Sequence, residues 1–281
     1  MAKKAEPKFK INETISGRMV DGKMMSFVEK RLDKVTLPKS FDGVLVIPQE
    51  VTQIGRYACK GLNQIKEVVL PDNLVIFGIE AFADCENLEK ISFPATLRSL
   101  AESCFANCTS LAELYIPATL HFSAKDLYDL PASTKIIIDK DHPYYKIEDG
   151  AILSKDGTIF KLLLDHDVED YEVKEGVKEI VPGAFYCRKN LKKITLPTTI
   201  EEVNCAFKGC PNLTTIVIKS EADVNVQNAF DECNNPPFST TFLKAIYVPA
   251  PKIDYYKDKE HVWQEYIRDI IVELPAEKAK K

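Results

Sequence analysis

Short alternations of apolar and polar residues recur along most of this chain, and many of them end at a proline. Four of these prolines follow one another at a constant spacing: Pro48, Pro71, Pro94 and Pro117. In Leu88–Pro94, Ile91 and Phe93 alternate with polar residues, which predicts a short strand. Proline ends such a strand because it has no N–H for the sheet. A constant period of about 23 residues predicts a solenoid whose coils bury their apolar sides against one another.

The residues between the prolines repeat as well. After Val68-Val-Leu-Pro71 come Ile79-Glu-Ala-Phe82, Cys85 and Leu88, and the same phase returns from Ile194 onward. Phenylalanine and cysteine therefore hold fixed places in the coil, where we expect them to point into the core. These predicted core residues are Phe82, Phe105, Phe185, Phe207, Phe230, Cys85, Cys108, Cys187, Cys210 and Cys233.

The pattern L-x-x-I-x-L-P-x-x-L-x-x-I-x-x-x-A-F-x-x-C resembles the BspA-type leucine-rich repeat, over about residues 42–250. This family occurs in bacterial surface antigens and some protozoan proteins. The resemblance implies a curved or slightly twisted solenoid with a parallel sheet on one face, a role in binding or adhesion, and no catalysis. The regular asparagine beside the strand of other leucine-rich repeats is missing here, and cysteine and phenylalanine hold the internal repeat positions.

The expected fold class is an α/β-type repeat solenoid, a leucine-rich repeat stack with a mid-chain β-hairpin insertion and a C-terminal capping helix. Five segments follow from the repeat and its interruptions: an N-terminal cap with a first irregular coil (1–41), a first repeat block (42–120), an irregular coil with the insertion (121–170), a second repeat block (171–250), and the capping helix with a tail (251–281).

The N-terminal segment, residues 1–41, carries ten basic and five acidic residues. Leu32–Pro38 already has the strand pattern, so we expect the first coil to start there. Phe9–Leu32 is interpreted as a cap over the open end, which terminal repeats need for solubility. The alternative is a flexible basic arm that contacts an acidic partner, and it is favoured only for Met1–Pro7.

Two further interruptions lie downstream. An insertion begins at His142, and Ala151–Leu153 and Ile159–Leu162 flank an Asp-Gly pair, which predicts a β-hairpin. It is either a projecting binding element or an internal spacer between two solenoid halves, and the spacer is favoured. Near the C-terminus, Ile246–Pro249 is expected to be the last strand, and the helical spacing over Ile253–Leu274, which includes the single tryptophan, predicts a closing helix.

Charge and composition exclude several functions. The net charge of −5 does not favour nucleic-acid binding, and no apolar run has the length that membrane insertion requires. The eight cysteines contain no C-x-x-C pair and the four histidines are scattered, so no metal site, cofactor or catalytic residue is predicted. Stacked coils would bring Cys85 and Cys108 within disulfide range, but their side chains point the same way, which favours a ladder of free thiols.

What remains is a surface. The residue between the two apolar positions of each strand is expected to point outward, and charged residues flank it. The predicted binding residues are Val69, Ser92, Tyr115, Ile137, Glu172, Thr195, Val217 and Tyr247, with Lys90, Glu113 and Lys193 beside them. Aromatic residues are enriched in interface hot spots, so the row is interpreted as a protein-binding stripe. The alternative is an ordinary soluble sheet face.

The sequence therefore predicts a non-enzymatic protein-binding module without a cofactor, which acts as a scaffold for a protein partner. A cell-surface adhesin that binds host or matrix proteins is the alternative, and an enzyme is disfavoured because no pocket of convergent polar groups can be assembled. Residues 1–30 show no export signal, so a cytoplasmic location is expected, or the cell surface if a signal has been removed. The sequence specifies neither the partner's identity nor the oligomeric state.

Overall fold

The structure is a computed structural model that describes residues 6–21, 23–226, 243–258 and 268–275. They form two compact units, Met1–Pro143 (unit 1) and Tyr144–Lys281 (unit 2). Phe230, Cys233 and Trp263 lie outside the described residues, as does the middle of the predicted closing helix. Within the described ranges, no helix is long and apolar enough to cross a membrane.

The described residues of unit 1 form nine strands and one turn of 3-10 helix at Ala124–Asp126. The strands are β1 (Lys8–Val20), β2 (Lys23–Thr36), β3 (Val44–Val46), β4 (Gln53–Ile54), β5 (Glu67–Val69), β6 (Ile76–Phe77), β7 (Lys90–Ile91), β8 (Glu113–Ile116) and β9 (Lys135–Ile138). They form the sheets β1-β2-β4-β6, β3-β5-β7 and β8-β9.

The described part of unit 2 contains ten strands, a 3-10 turn at Ala250–Lys252 and the helix α1 (Ile253–Lys257). The strands are β10 (Tyr145–Glu148), β11 (Ala151–Ser154), β12 (Ile159–Leu163), β13 (Asp170–Glu172), β14 (Glu179–Ile180), β15 (Lys193–Leu196), β16 (Glu202–Val203), β17 (Thr215–Ile218), β18 (Ala245–Val248) and β19 (Ile271–Glu273). Two sheets result, β10-β11-β12-β14-β16 and β13-β15-β17-β18-β19.

The repeat produces two ladders of parallel strands per unit. In unit 1, the first ladder pairs Leu45 with Val68 and Val68 with Ile91. The second ladder pairs Ile54 with Phe77. Because side chains alternate along a strand, Leu45 is buried and its neighbours in β3 are exposed. The period-2 pattern thus separates core from surface, as the sequence indicates.

Phenylalanine rings stack between the ladders. The Phe82 and Phe105 rings are stacked with centroids 6.0 Å apart, and in unit 2 Phe185 stacks on Phe160 at 5.0 Å and on Phe207 at 5.2 Å. All five rings are buried. Each of these coils therefore buries an aromatic side chain against its neighbours, and this burial is the main favourable term that holds them together.

The N-terminal segment differs from the expected coil. β1 and β2 form one long antiparallel hairpin, and β2 joins the stack through Arg31 opposite Gln53 and Leu32 opposite Ile54. Leu32 therefore belongs to the second ladder and not to the strand position that precedes a proline. The prediction that Leu32–Pro38 opens the first coil was wrong about the ladder that this strand joins. Leu32 and Val35 are buried and are spaced like residues of the first ladder, but the strand pairs on the second.

The insertion is a three-stranded meander rather than a single hairpin. β11 and β12 pair as predicted, with Leu153 opposite Phe160, and β10 adds an unpredicted third strand on the other side of β11. β12 also pairs in parallel with β14 through Ile159 and Glu179. Leu153 and Phe160 lie in the core cluster of unit 2, so this segment is part of the stack and does not project as a whole.

The C-terminal end also differs from the expectation. Within the described residues, α1 covers Ile253–Lys257, and Ile271–Glu273 forms β19, which extends the sheet by pairing Ile246 with Ile271. Ile246–Pro249 is therefore not the last strand. A signal was present in the sequence, since Pro275 lies two residues beyond β19, close to the place that Pro197 holds directly after β15.

Candidate protein-binding face

The outward residues of unit 1 lie on a rigid sheet surface. Val69 is 40% exposed and stands directly opposite Val46 in β3, which is itself exposed together with Val44. Ser92 is exposed just after β7, and exposed Tyr115 pairs with half-buried Ile137. The residues Val44, Val46, Val69, Ser92, Tyr115 and Ile137 are named the unit 1 face from here on.

Val44 and Val46 were not among the predicted binding residues, although the sequence contained a signal for them. Gly43-Val-Leu-Val-Ile-Pro48 places Leu45 and Ile47 where the next repeat places its inward Val68 and Leu70, and it ends at the first of the regularly spaced prolines. Its outward valines add apolar area next to Val69, so the exposed patch is larger than expected.

Charged side chains border the unit 1 face in an ordered way. Glu67 lies opposite both Val44 and Lys90 along the sheet, and the Lys90 Nζ is 2.9 Å from the Glu67 carboxylate. Glu113 pairs with Lys135 in the next sheet. These exposed charges keep the surface soluble and give its edge a polar rim, which is the arrangement of many protein interfaces.

Tyr115 is held in place by a carboxylate. Its hydroxyl donates a hydrogen bond to Asp139, and this bond raises the pKa of Tyr115 and lowers the pKa of Asp139. The ring is 44% exposed. A tyrosine with a fixed ring loses little conformational freedom when a partner packs against it.

The corresponding residues of unit 2 do not form an open face. Thr195 and Val217 are only 8% and 5% exposed, Tyr247 is half-buried, and Glu172 alone of the four is exposed. Thr195 and Val217, predicted as outward binding residues, are therefore corrected to buried positions. Lys193 beside them is half-buried as well.

An ion pair between residues far apart in sequence explains part of the low exposure of Thr195 and Val217. Lys219 lies on the outward side of its strand, two residues beyond Val217, and its Nζ is 2.6 Å from the Glu172 carboxylate. Glu172 belongs to β13 and β15 lies between the two strands, so the lysine side chain must cross the outer side of β15 near Thr195. The Lys219 side chain is only 11% exposed, which shows that it lies along the sheet.

Cys85, Cys108 and Cys210 occupy equivalent positions in their coils, as predicted for the ladder of thiols. The Cys85 and Cys108 thiols each lie 3.1 Å from a carbonyl oxygen of the preceding coil, those of Cys59 and Phe82, and Cys210 lies 2.9 Å from the Phe185 carbonyl. The described cysteines are all free thiols. Burial raises the pKa of Cys85 to about 11 and that of Cys108 to about 12, so these thiols stay protonated at neutral pH.

Cys187 does not belong to this ladder. It lies two residues after Phe185 with φ of 54°, the place that Asp84 holds after Phe82 with φ of 60°, and that Gly209 holds after Phe207. The residue three places after Phe185 is Arg188, which is buried. The assignment of Cys187 to the core register was therefore wrong by one position.

One cleft in the described part of unit 1 brings several polar side chains together. It is lined by Glu80, Ser103, Asn107 and Asp129, and the Ser103 hydroxyl donates to the Asp129 carboxylate. No histidine is among the residues that line this cleft, so Ser103 lacks the imidazole that serves as general base in serine triads. Across the described ranges, no three His, Cys, Asp or Glu side chains lie close enough together to hold a metal ion.

The repeat is recognised by a family model. The model described as "BspA type Leucine rich repeat region" matches six copies within residues 26–144 and 163–247. No curated protein matches this chain in sequence.

Several solved structures are similar to this chain. The chain is similar to a leucine-rich repeat protein from Eubacterium ventriosum, with 16% identity, coverage of 88% of this chain and 80% of that chain, and a TM-score of 0.54. It is also similar to the pneumococcal vaccine antigen PcpA, with 18% identity, coverage of 83% and 80%, and a TM-score of 0.47. A leucine-rich cell surface protein from Faecalibacterium prausnitzii has 16% identity, coverage of 98% and 97%, and a TM-score of 0.41. The first of these likenesses supports the solenoid fold.

Proposed function

The chain belongs to the BspA-type leucine-rich repeat family, and on this premise we propose that it is a non-enzymatic module that binds a protein partner through the unit 1 face. The observation that carries the proposal is the pair Val46 and Val69, two exposed valines held opposite each other by the parallel pairing of β3 and β5. With Val44 and Tyr115 they form an apolar surface with a charged rim.

The physical basis of recognition is rigidity. Parallel pairing fixes the backbone of each strand against the next coil, so the outward side chains keep their spacing with or without a partner. Little conformational entropy is then lost on binding, which leaves more of the contact energy for affinity. A large exposed solenoid surface is also what repeat proteins commonly use for recognition.

Affinity capture tests this proposal. Immobilised wild-type protein is compared, in lysate of the native cells, with Val46→Asp/Val69→Asp and with the control Ile147→Asp/Val272→Asp, which places the same charges at two exposed positions of unit 2. Circular dichroism melting checks that each variant is folded. We expect wild type and control to retain the same proteins and the unit 1 variant to lose them. Equal retention by both variants would reject the unit 1 face as the interface.

Membership of this family also supports the alternative of a cell-surface adhesin, in which the same face binds a host or matrix protein. Biotinylation of intact native cells with a membrane-impermeant reagent separates the two. Labelling of the protein before lysis supports the adhesin, and labelling only after lysis supports a partner inside the cell.

A further inference from the structure

The N-terminal hairpin has an open edge. β1 runs for 13 residues at the end of the sheet β1-β2-β4-β6, and no strand pairs with its outer edge within the described part of the chain. From Ile11 opposite Leu32 to Val20 opposite Lys23 its register with β2 is regular. A long regular edge strand presents a row of N–H and C=O groups that another extended chain can pair with.

One face of this hairpin carries apolar residues both near the stack and farther out. Near the stack, Phe9 and Ile11 lie opposite Val35 and Leu32, both of which are buried. Farther out the same face is exposed: Ile15 is 73% exposed and its direct partner Val28 is 52% exposed. Between these pairs, Glu13 and Lys30 lie opposite each other on the same face and form an ion pair, so Ile15 and Val28 form a separate exposed apolar patch beyond it.

Methionine adds apolar surface at the outer end of the hairpin. Met24 lies in β2 on the same face as Val28 and is 69% exposed, and the adjacent Met25 is 46% exposed. Flexible methionine side chains are common on surfaces that accept varied apolar partners. Exposed apolar side chains therefore occur at the far end of the hairpin as well as at Ile15 and Val28.

The other face of β1 is basic near its start. Lys8 and Lys10 are exposed, and neither makes an ion pair with any described residue. Residues 1–41 carry ten basic and five acidic residues in a chain whose net charge is −5. Lysines on an edge strand oppose pairing with a second, equally basic edge, so they disfavour a second copy of this hairpin and favour an acidic strand.

We propose that β1 is a strand-addition site for an extended peptide segment in which apolar and acidic residues alternate. The peptide backbone would pair with the free edge of β1, its apolar side chains would lie beside Ile11 and Ile15, and its acidic side chains beside Lys8 and Lys10. Main-chain hydrogen bonds supply affinity in this mode of recognition and alternate side chains supply specificity. The site is separate from the unit 1 face and does not depend on it.

Fluorescence anisotropy with the purified full chain tests the site. The probe is a dye-labelled peptide of five Glu-Val repeats, with a Lys-Val peptide of equal length and a Glu-Val peptide N-methylated at alternate residues as controls. We expect saturable binding of the Glu-Val peptide, at least tenfold weaker binding of the N-methylated peptide because it cannot pair with a strand edge, and no binding of the Lys-Val peptide. Equal binding of the N-methylated peptide, or no saturable binding of the Glu-Val peptide, would overturn the proposal.

Variants locate the site on the chain. Lys8→Glu/Lys10→Glu should weaken binding at least tenfold, and Lys125→Glu/Lys189→Glu, which changes the net charge equally at exposed positions outside the hairpin, should stay within twofold of wild type. Hydrogen exchange should slow at the amides of β1 when the peptide is bound. Protection elsewhere, or binding of phosphatidylserine vesicles in place of the peptide, would contradict strand addition at β1.

Discussion

The Arg188 Nε donates a 2.9 Å hydrogen bond to the carbonyl oxygen of Leu163, and through this bond an arginine takes the place of a ladder cysteine. Cys85 makes the equivalent contact with the Cys59 carbonyl. Arg188 also donates to the Tyr186 carbonyl and is 2% exposed. Burial lowers its pKa to about 10, so it remains charged at neutral pH inside the stack.

Two substitutions at Arg188 distinguish the contribution of its hydrogen bond to stability from the contribution of its size. Arg188→Ala leaves the Leu163 carbonyl without its donor and should lower the free energy of unfolding by about 1–3 kcal/mol. Arg188→Cys restores the donor found in neighbouring coils and should cost at least about 1 kcal/mol less than the alanine variant. Urea unfolding measures both. Equal losses would mean that the thiol does not replace the guanidinium at this position.

The half-buried His166 should make unit 2 sensitive to acid. Burial, and then the neighbouring Arg188 charge, lower the pKa of His166 below its usual value of about 6.5. The unfolded chain then binds the proton more readily than the folded chain, so stability is lost as pH falls below about 6.5. Between pH 7.5 and 5.5, the urea midpoint should fall more for wild type than for His166→Gln, with exposed His121→Gln as the control. Parallel losses in wild type and His166→Gln would contradict this account.

Thiol reactivity should follow burial. Cys104 and Cys108 are buried with pKa values raised to about 12, whereas Cys187 and Cys205 are partly exposed. Iodoacetamide at pH 8 with mass spectrometry should modify Cys187 and Cys205 first and leave Cys104 and Cys108 unmodified until the protein is denatured. Rapid modification of Cys104 or Cys108 in folded protein would show that the coils open readily.

The aromatic stack should dominate local stability. Phe82 is fully buried, with the Phe77 ring centroid 5.7 Å away and the Phe105 ring stacked on it. Phe82→Ala should lower the free energy of unfolding by about 3–5 kcal/mol because it leaves a cavity. Val69→Ala, an exposed control in the same unit, should stay within about 0.5 kcal/mol of wild type. A small loss for Phe82→Ala would mean that the coil collapses around the missing ring.

The family and the solenoid were predictable because the proline period and the Ala-Phe spacing repeat in the sequence, and both predictions are confirmed. The register of Cys187 was missed because Phe207 follows Phe185 one position sooner than the constant period requires. Counting one full period back from Cys210 therefore arrives at Cys187, one position short of Arg188.

Contacts far apart in sequence could not be predicted from local patterns. The closure of the unit 2 sheet includes an ion pair between Glu172 and Lys219, 47 residues apart, and no local alternation reveals it. The open edge of β1 could not be predicted either, because β1 becomes the edge strand only when β2 pairs with β4. The candidate site was therefore half predictable: the outward positions of unit 1 follow from alternation, while those of unit 2 are changed by tertiary packing.

Site-specific photocrosslinking tests the central claim, that the unit 1 face contacts a protein partner, most directly. A benzophenone amino acid is placed at Val69 and, in a separate control, at exposed Thr109 in a loop of the same unit, and each protein is irradiated in native-cell lysate. The account predicts a discrete crosslinked species from position 69 that is absent from position 109. No crosslink at position 69, or the same species from both positions, would contradict it.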